Sequence, residues 1–230
     1  MTAQAASPEL SPLSREEEQV EVIRRLEEDI IFGRFAPGSR LVEDTLMARY
    51  GASRHFVRHG LFQLERQGIV LREKNIGATV RFYSSAEVRQ IYEVREMLTR
   101  QAALMIALPA PAALIEQLTE LQRQYGAKAD AQDLRGIHEA NDAFHVALFS
   151  ACGNPYLVRS LQDYMGLTLP MRAKNLADTD GLALSRRQHE YMIELLRGRD
   201  SWAFAQLCVD HMQFSKSDYL GRIGADGKRD

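Results

Sequence analysis

The chain is 230 residues long, 45% hydrophobic and 26% charged, with a formal net charge of -2 and two cysteines. Such a length admits two domains with buried cores, while Cys152 and Cys208, far apart and outside any CxxC spacing, exclude a disulfide framework and a thiolate zinc site. The uncharged run 101–115 is too short to span a bilayer and is broken by Pro109 and Pro111, so a soluble, cytoplasmic chain without membrane contact is expected.

Charge is unevenly distributed. Residues 34–82 hold nine Arg/Lys against four Asp/Glu, a net +5, whereas residues 85–230 hold 17 against 19, a net -2. A local positive patch attracts phosphate without making the whole chain basic.

Residues 1–16 lack a basic stretch followed by an apolar one, which argues against a signal peptide and predicts a flexible tail. From Glu17 to Phe32, Val20, Ile23, Leu26, Ile30 and Ile31 fall on one side of an amphipathic helix. Ala36-Pro37-Gly38 turns the chain, and Arg40-Leu41-Val42 leads into a short second helix through Leu46, Met47, Ala48 and Tyr50. Gly51 suits the turn that ends it, and Ser53 supplies an N-cap oxygen for a third helix. In that helix Phe56, Val57, Leu61 and Leu64 form an apolar stripe, and Arg54, His55, Arg58 and His59 gather near its start. Short apolar runs at Ile69–Leu71 and Ala78–Phe82, separated by Arg72–Gly77, predict a hairpin. Residues 17–83 therefore form a predicted winged helix-turn-helix DNA-binding domain, with the third helix in the major groove.

Ser84-Ser85-Ala86-Glu87 is a candidate capping box, and no convincing strand follows it. Residues 84–222 are predicted as an all-helical domain with helices at Ala86–Leu108, Ala112–Gly126, Leu134–Ala151, Pro155–Leu169, Leu182–Arg197 and Ser201–Leu220, followed by a flexible tail at 223–230. Breaks are placed at Pro109 and Pro111, Gly126, Gly153-Asn154-Pro155, 178–181 and Gly198-Arg199-Asp200. The fold class is mainly α: an N-terminal winged helix-turn-helix plus a C-terminal all-α antiparallel helical bundle.

Two constellations carry chemistry. Arg54 and Arg58 are four apart, so they project from one helical face, and a guanidinium can bond bidentately to guanine with about 1–3 kcal/mol of base discrimination. A single exposed Arg is usually a solvated charge; the surrounding helix, turn and wing favour the groove-reading role. His55 and His59 are secondary candidates. Asn141 and His145, at i and i+4, share a helix side, and His189 and His211 lie at similar distances from the 198–200 turn of a helix hairpin. Each histidine alone is more commonly a core or surface residue, but together three imidazoles and an oxygen suit a divalent ion such as Zn, Ni or Mn. Asn141 is neutral, and the adjacent Asp142 is an alternative or supporting oxygen donor.

The segments PGSRL (37–41), GASRHFVRHGLFQLERQG (51–68) and NIGATV (75–80) resemble the DNA-binding domain of GntR-type bacterial transcription regulators, and the helical remainder resembles the FCD ligand-binding domain of the FadR-like subfamily. The resemblance spans roughly residues 17–220. It implies a metabolite-responsive regulator, a repressor, that binds a palindromic double-stranded DNA operator as a homodimer. Arg40 and Arg49 are then expected to touch phosphate or base, and Gly77 to approach the minor groove. With Ser53, Arg54 and Arg58 they complete the DNA-binding set. The same resemblance implies metal binding by Asn141, His145, His189 and His211, and an Arg95 that pairs with the carboxylate of a small organic acid effector. A surface ion pair with Glu93 or Glu96 is the alternative for Arg95. Departures are His55-Phe56 and His59-Gly60, where the family commonly has Thr-Pro and Glu-Ala, and Thr99, where it commonly has an acid. Rival readings are a metal-dependent enzyme, without an evident general base here, and a regulator whose metal is structural or itself the signal.

Overall fold

The computed structural model describes residues 14–73, 77–176 and 178–225, so the N-terminal tail through residue 13, the hairpin tip 74–76 and the C-terminal tail from 226 lie outside the described residues. The first helix, α1 (Arg15–Ile31), starts with a capping box in which Ser14 Oγ accepts from the Glu17 N–H and the Glu17 carboxylate accepts from the Ser14 N–H. Val22, Leu26, Ile30 and Ile31 are its buried face. After a short strand, β1 (Arg40–Leu41), helix α2 (Glu43–Tyr50) ends at Gly51, whose φ of 64° is the left-handed conformation expected of that glycine. Recognition helix α3 (Arg54–Arg66) begins where Ser53 Oγ accepts from the Phe56 N–H at 3.3 Å.

Strands β2 (Val70–Glu73) and β3 (Gly77–Val80) pair antiparallel, with Val70 opposite Val80 and Glu73 opposite Gly77. The sheet order is β1-β3-β2, with Leu41 opposite Ala78, and alternation places Ala78 and Val80 against the core. Sequence reading expected a two-stranded hairpin. Arg40–Leu41 is too short to show a period of two, and only its pairing with β3 makes it a strand.

Beyond Tyr83 all described elements are helical. Ser84 caps α4 (Ser85–Leu104) through a complete capping box with Glu87. Then come α5 (Ala112–Asp130), α6 (Leu134–Ser150), α7 (Pro155–Leu167), α8 (Leu169–Leu176), α9 (Thr179–Arg197) and α10 (Ser201–Ala225). α4 packs on α10, and α5 packs on α6 and α9. Phe144, Leu148, Met192, Leu196 and Phe204 are fully buried between them. Each side chain of this kind contributes about 1.5–3 kcal/mol of burial free energy.

Several helix boundaries differ from expectation: α1 starts at Arg15 rather than Glu17, α7 ends at Leu167 rather than Leu169, and α10 runs past Leu220 to Ala225, so residues 223–225 are helix and not tail. α4 stops at Leu104 rather than Leu108; the Met105 N–H still bonds back to the Gln101 carbonyl at 3.2 Å, and between the two prolines the Ala110 N–H turns to the Leu196 carbonyl at 2.8 Å. α5 runs through Gly126 to Asp130; a Cβ at Gly126 would sit 3.0 Å from an Arg186 guanidinium nitrogen, so this glycine permits close packing inside a helix and is not a stop. Asp178 caps α9 by accepting from the Gly181 N–H at 2.9 Å, so the helix starts within the predicted break. Helix α8 occupies part of the stretch expected to be loop.

The two domains meet through α7 and α8. Leu169, the first residue of α8, is 5% exposed and belongs to the core of the winged helix. Tyr83 donates its hydroxyl to the Gly68 carbonyl at 2.7 Å, and a Cβ on Gly68 would lie 2.6 Å from Leu167 Cδ2. The end of the hairpin approach and the end of α7 are thus packed without space between them.

Candidate functional site

Two surfaces gather the candidate residues. On the winged helix, Arg54 and Arg58 stand half-exposed at the front of α3, with 51% and 59% of their side chains accessible. Arg54 donates to Asp44 Oδ1 at 2.6 Å, and Arg58 donates through Nε to both oxygens of Glu43 at 2.9 and 3.0 Å. Both acids lie in the first turn of α2, where the helix dipole favours them. They align the two guanidiniums along one face. Exposed pairs of this kind are worth only about 0–1 kcal/mol, so phosphate or guanine can take the guanidiniums over.

A groove of about 680 Å³ runs beside this face, lined by Arg40, Glu43, Arg58, Arg72, Glu73 and Gly77. Gly77 has φ of 95°, and an added Cβ would meet nothing within 4 Å, so the glycine answers to backbone conformation and leaves open space at the wing. Arg49 is also exposed but tied down: its Nε donates at 2.6 Å to the buried Asp29 carboxylate, which accepts from the Tyr50 hydroxyl at 2.8 Å and from Arg34 at 2.6 Å as well. Burial raises the Asp29 pKa, but the hydrogen bonds from Arg49, Tyr50 and Arg34 outweigh it and the net shift is downward. Ser53 serves as the α3 cap. His59 does not face the groove chemistry; its Nδ1 is 2.7 Å from Gln19 Nε2 and ties α3 to α1.

The second surface is a cavity of about 40 Å³ in the helical domain, lined by Asn141 and His145 of α6, His211 of α10, Arg95 of α4 and Arg172 of α8. His189 of α9, fully buried, stands next to His145. His145 Nε2 lies 3.2 Å from His211 Nε2 and 3.3 Å from His189 Nε2. The tautomers follow from the neighbours. Gln122 Nε2 donates to the Arg186 carbonyl at 3.0 Å, so its oxygen faces His189 Nδ1, also at 3.0 Å, and must accept from it. Gln188 Oε1 stands in the same relation to His211 Nδ1 at 2.8 Å. Both of these imidazoles therefore turn a bare Nε2 inward, and at most one N–H serves two short nitrogen contacts.

Burial, and then the neighbouring His211, Arg95 and Arg172 charges, hold His145 well below the usual imidazole pKa. Burial followed by the other two imidazoles does the same for His189. His211 is pushed down to about 3 by burial and then by Arg95 and Arg172. All three are neutral at physiological pH, which is the ligand form. Nitrogens about 2.0–2.1 Å from a tetrahedral zinc lie roughly 3.3 Å apart, matching the observed spacing. The donor set thus fits a borderline divalent cation, with Asn141, 4% exposed, adding an oxygen.

Asp142, the alternative oxygen donor, faces away from this cavity. Its carboxylate takes two hydrogen bonds from Arg172, at 2.7 and 3.2 Å, and lines instead a 240 Å³ cleft with Glu27, Gln67 and His138. Asn141 donates to it at 3.3 Å. Arg95 is buried, not paired with Glu93 or Glu96: Glu96 bonds Lys216 at 2.8 Å, while Arg95 donates to Thr168 Oγ1 at 2.9 Å. Burial pushes the Arg95 pKa down to about 10. Thr99, also buried, donates to Met212 Sδ at 3.6 Å. Sequence reading missed Arg172 and Thr168. The available signal was Pro170, tolerated in the first turn of a helix, which marks Leu169–Leu176 as helix rather than loop.

Residues 18–80 match the family described as bacterial regulatory proteins of the gntR family, and residues 90–214 match the FCD domain. The chain is 24% identical over 212 residues to the HTH-type transcriptional regulator YdhC of Bacillus subtilis, covering 89% of this chain and 91% of that one. To the HTH-type transcriptional repressor GlaR of Escherichia coli it is 26% identical over 203 residues, covering 82% and 90%. Among solved structures it is similar to E. coli McbR/YncC, with a TM-score of 0.70 at 17% identity, covering 90% of this chain and 98% of that one; at such identity the likeness concerns the fold. Family and relatives are transcription regulators rather than enzymes. The chain belongs to the GntR family of bacterial regulators, with an N-terminal helix-turn-helix domain and a C-terminal FCD domain.

Proposed function

We propose that this chain is a cytoplasmic, metabolite-responsive repressor of the FadR-like subfamily that binds a palindromic operator as a homodimer. In this reading α3 enters the major groove, Arg54 and Arg58 read base edges, Arg40 and Arg49 meet the backbone, and Gly77 lets the wing approach the minor groove. A divalent cation, Zn, Ni or Mn, sits on His145, His189 and His211 with Asn141, and supplies a Lewis-acidic point for the carboxylate of a small organic acid. Arg95 takes the other side of that carboxylate.

The observation that carries the reading is the meeting of three inward Nε2 atoms, at 3.2 and 3.3 Å, with the buried Arg95 and Arg172 in one cavity. Helix α8 offers the route outward. Thr168, just before it, holds Arg95, Arg172 lines the cavity, and Leu169 is packed in the winged-helix core. A ligand that moves α8 therefore moves a core residue of the DNA-binding domain, and alters DNA affinity by its differential affinity for the two arrangements.

Selection of binding sites from random duplexes tests the DNA side. The reading expects an inverted repeat with half-site centres about 10 base pairs apart, one helical turn. Enrichment of a single unrepeated site would contradict it. For the effector side, a melting screen against small mono- and dicarboxylates, sugar acids and aromatic acids should give a stabilising acid whose effect vanishes after chelation. An acid at 100 times its Kd adds about 2.7 kcal/mol. Absence of any acid effect with metal bound would favour a structural or sensed metal.

A further inference from the structure

The two arginines at the front of α3 are held by acids in different ways, and the difference bears on how each can meet DNA. Arg58 donates to Glu43 through Nε, at 2.9 and 3.0 Å, so both Glu43 oxygens lie on the side of the guanidinium next to its stem. Its two terminal nitrogens make no hydrogen bond among the described residues. Arg54 is the reverse: its terminal Nη2 donates to Asp44 Oδ1 at 2.6 Å, and Nη1 lies 3.6 Å from Glu43 Oε2. One fork is open and the other is closed. The acids differ as well. Glu43 has 27% of its side chain accessible and serves both arginines, whereas Asp44, 74% accessible, pairs among the described residues with Arg54. Releasing Asp44 into water costs little, while stripping Glu43 of its partners leaves a half-buried carboxylate unpaired.

We infer that the two pairs behave oppositely on DNA: Glu43 stays on Arg58 as a positioning residue that presents its terminal fork to a guanine, while Asp44 must give up Arg54 and so holds down affinity for every duplex. The inference rests on the groove-reading roles proposed above for Arg54 and Arg58. The parallel N–H groups at the end of a guanidinium match guanine O6 and N7, and Arg58 has that end available without leaving Glu43. A carboxylate on Nε also fixes the plane of the guanidinium before DNA arrives, which lowers the ordering cost of binding. Arg54 has its end on Asp44, and any use of that end on base or phosphate breaks the 2.6 Å bond. The freed Asp44 carboxylate then stands beside a polyanion, which opposes selected and random duplexes alike. Glu43 therefore shapes base preference, and Asp44 sets overall affinity.

The test compares Glu43→Gln and Asp44→Asn with the parent full chain by fluorescence anisotropy at fixed salt, on the selected duplex, its single-position variants and a random duplex. Arg58→Ala first identifies the position of each half-site at which the preference for guanine depends on Arg58. Glu43→Gln should lose about fivefold or more of the guanine preference at that same position and keep the preferences elsewhere. Asp44→Asn should bind selected and random duplexes about 2- to 5-fold more tightly per subunit, with every base preference retained. A merely structural role of Glu43 would weaken all duplexes and leave the preference at that position intact, and this result would overturn the inference. So would unchanged random-duplex affinity in Asp44→Asn, or a guanine preference lost in Asp44→Asn rather than in Glu43→Gln. If Arg54→Ala and Arg58→Ala both retain the parent affinity for the selected duplex, the groove-reading assignment itself falls.

Discussion

The same side chain plays two physical roles at the two ends of this molecule. On α3, Arg54 and Arg58 are half-exposed and rest on Asp44 and Glu43, so their charges are already neutralised and cheaply transferred to a new partner. In the helical domain, Arg95 and Arg172 are buried, and Arg95 meets no carboxylate among the described residues. Exposed guanidiniums held by acids suit reversible, salt-sensitive contact with a polyanion. Buried, undercompensated ones suit selective capture of a small anion. The difference distinguishes the proposed reading surface from the proposed sensing pocket.

The contrast is broken most severely at the histidines. His189→Ala should abolish stoichiometric metal binding, measured by elemental analysis, while leaving ligand-free DNA affinity unchanged; retained metal in both His189→Ala and His211→Ala would remove the proposed centre. Next in size, Arg58→Ala and Arg54→Ala should each weaken specific duplex binding about 10- to 100-fold, corresponding to the roughly 1–3 kcal/mol of a bidentate base contact. Their melting temperatures should barely change, because both side chains are exposed.

Leu169→Ala probes the connection between the two regions. Removing a buried leucine from the winged-helix core costs about 2–5 kcal/mol and should also weaken the dependence of DNA affinity on acid. A loss of stability with an unaltered acid response would place the coupling elsewhere.

On the reading side, Asp29 has a carboxyl pKa held below its unfolded value, so its stabilising contribution is fully present above about pH 4 and is lost as pH falls through the folded value. Urea midpoints should therefore decline less steeply on acidification in Asp29→Asn than in the parent chain. Equal slopes would mean that the Arg49, Tyr50 and Arg34 contacts contribute nothing. The smallest effect is expected at Gly60, inside α3, where an added Cβ would meet Ile23 Cγ1 at 3.4 Å, an ordinary contact. Gly60→Ala should stabilise by up to about 1 kcal/mol from helix propensity, and destabilisation would mean that α1 and α3 are packed more tightly than this.

Legibility in the sequence followed the range of the interactions. The α3 cap at Ser53, the left-handed Gly51 and the capping box of α4 are local, and the residue types specify them. The His189 and His211 spacing was legible because a helix hairpin makes sequence distance a measure of height. Helix α8 was not legible as such: its eight residues are too few to display a period, and Leu169 gains its meaning from a core in the other domain. Arg172 was missed for the same reason, and with it the commitment of Asp142, 30 residues away, to a guanidinium. Thr99 showed only a departure from the family pattern; its partner, Met212, lies 113 residues away.

The most direct test of the link between the two surfaces is the affinity of the purified chain for its selected duplex, read by fluorescence anisotropy with Zn²⁺ present as the acid that stabilises it in the melting screen is titrated. The account predicts a change of about 5- to 150-fold, the usual span of allosteric coupling, that disappears after chelation and in Arg95→Gln. Duplex affinity that stays constant while calorimetry shows that acid bound would contradict it.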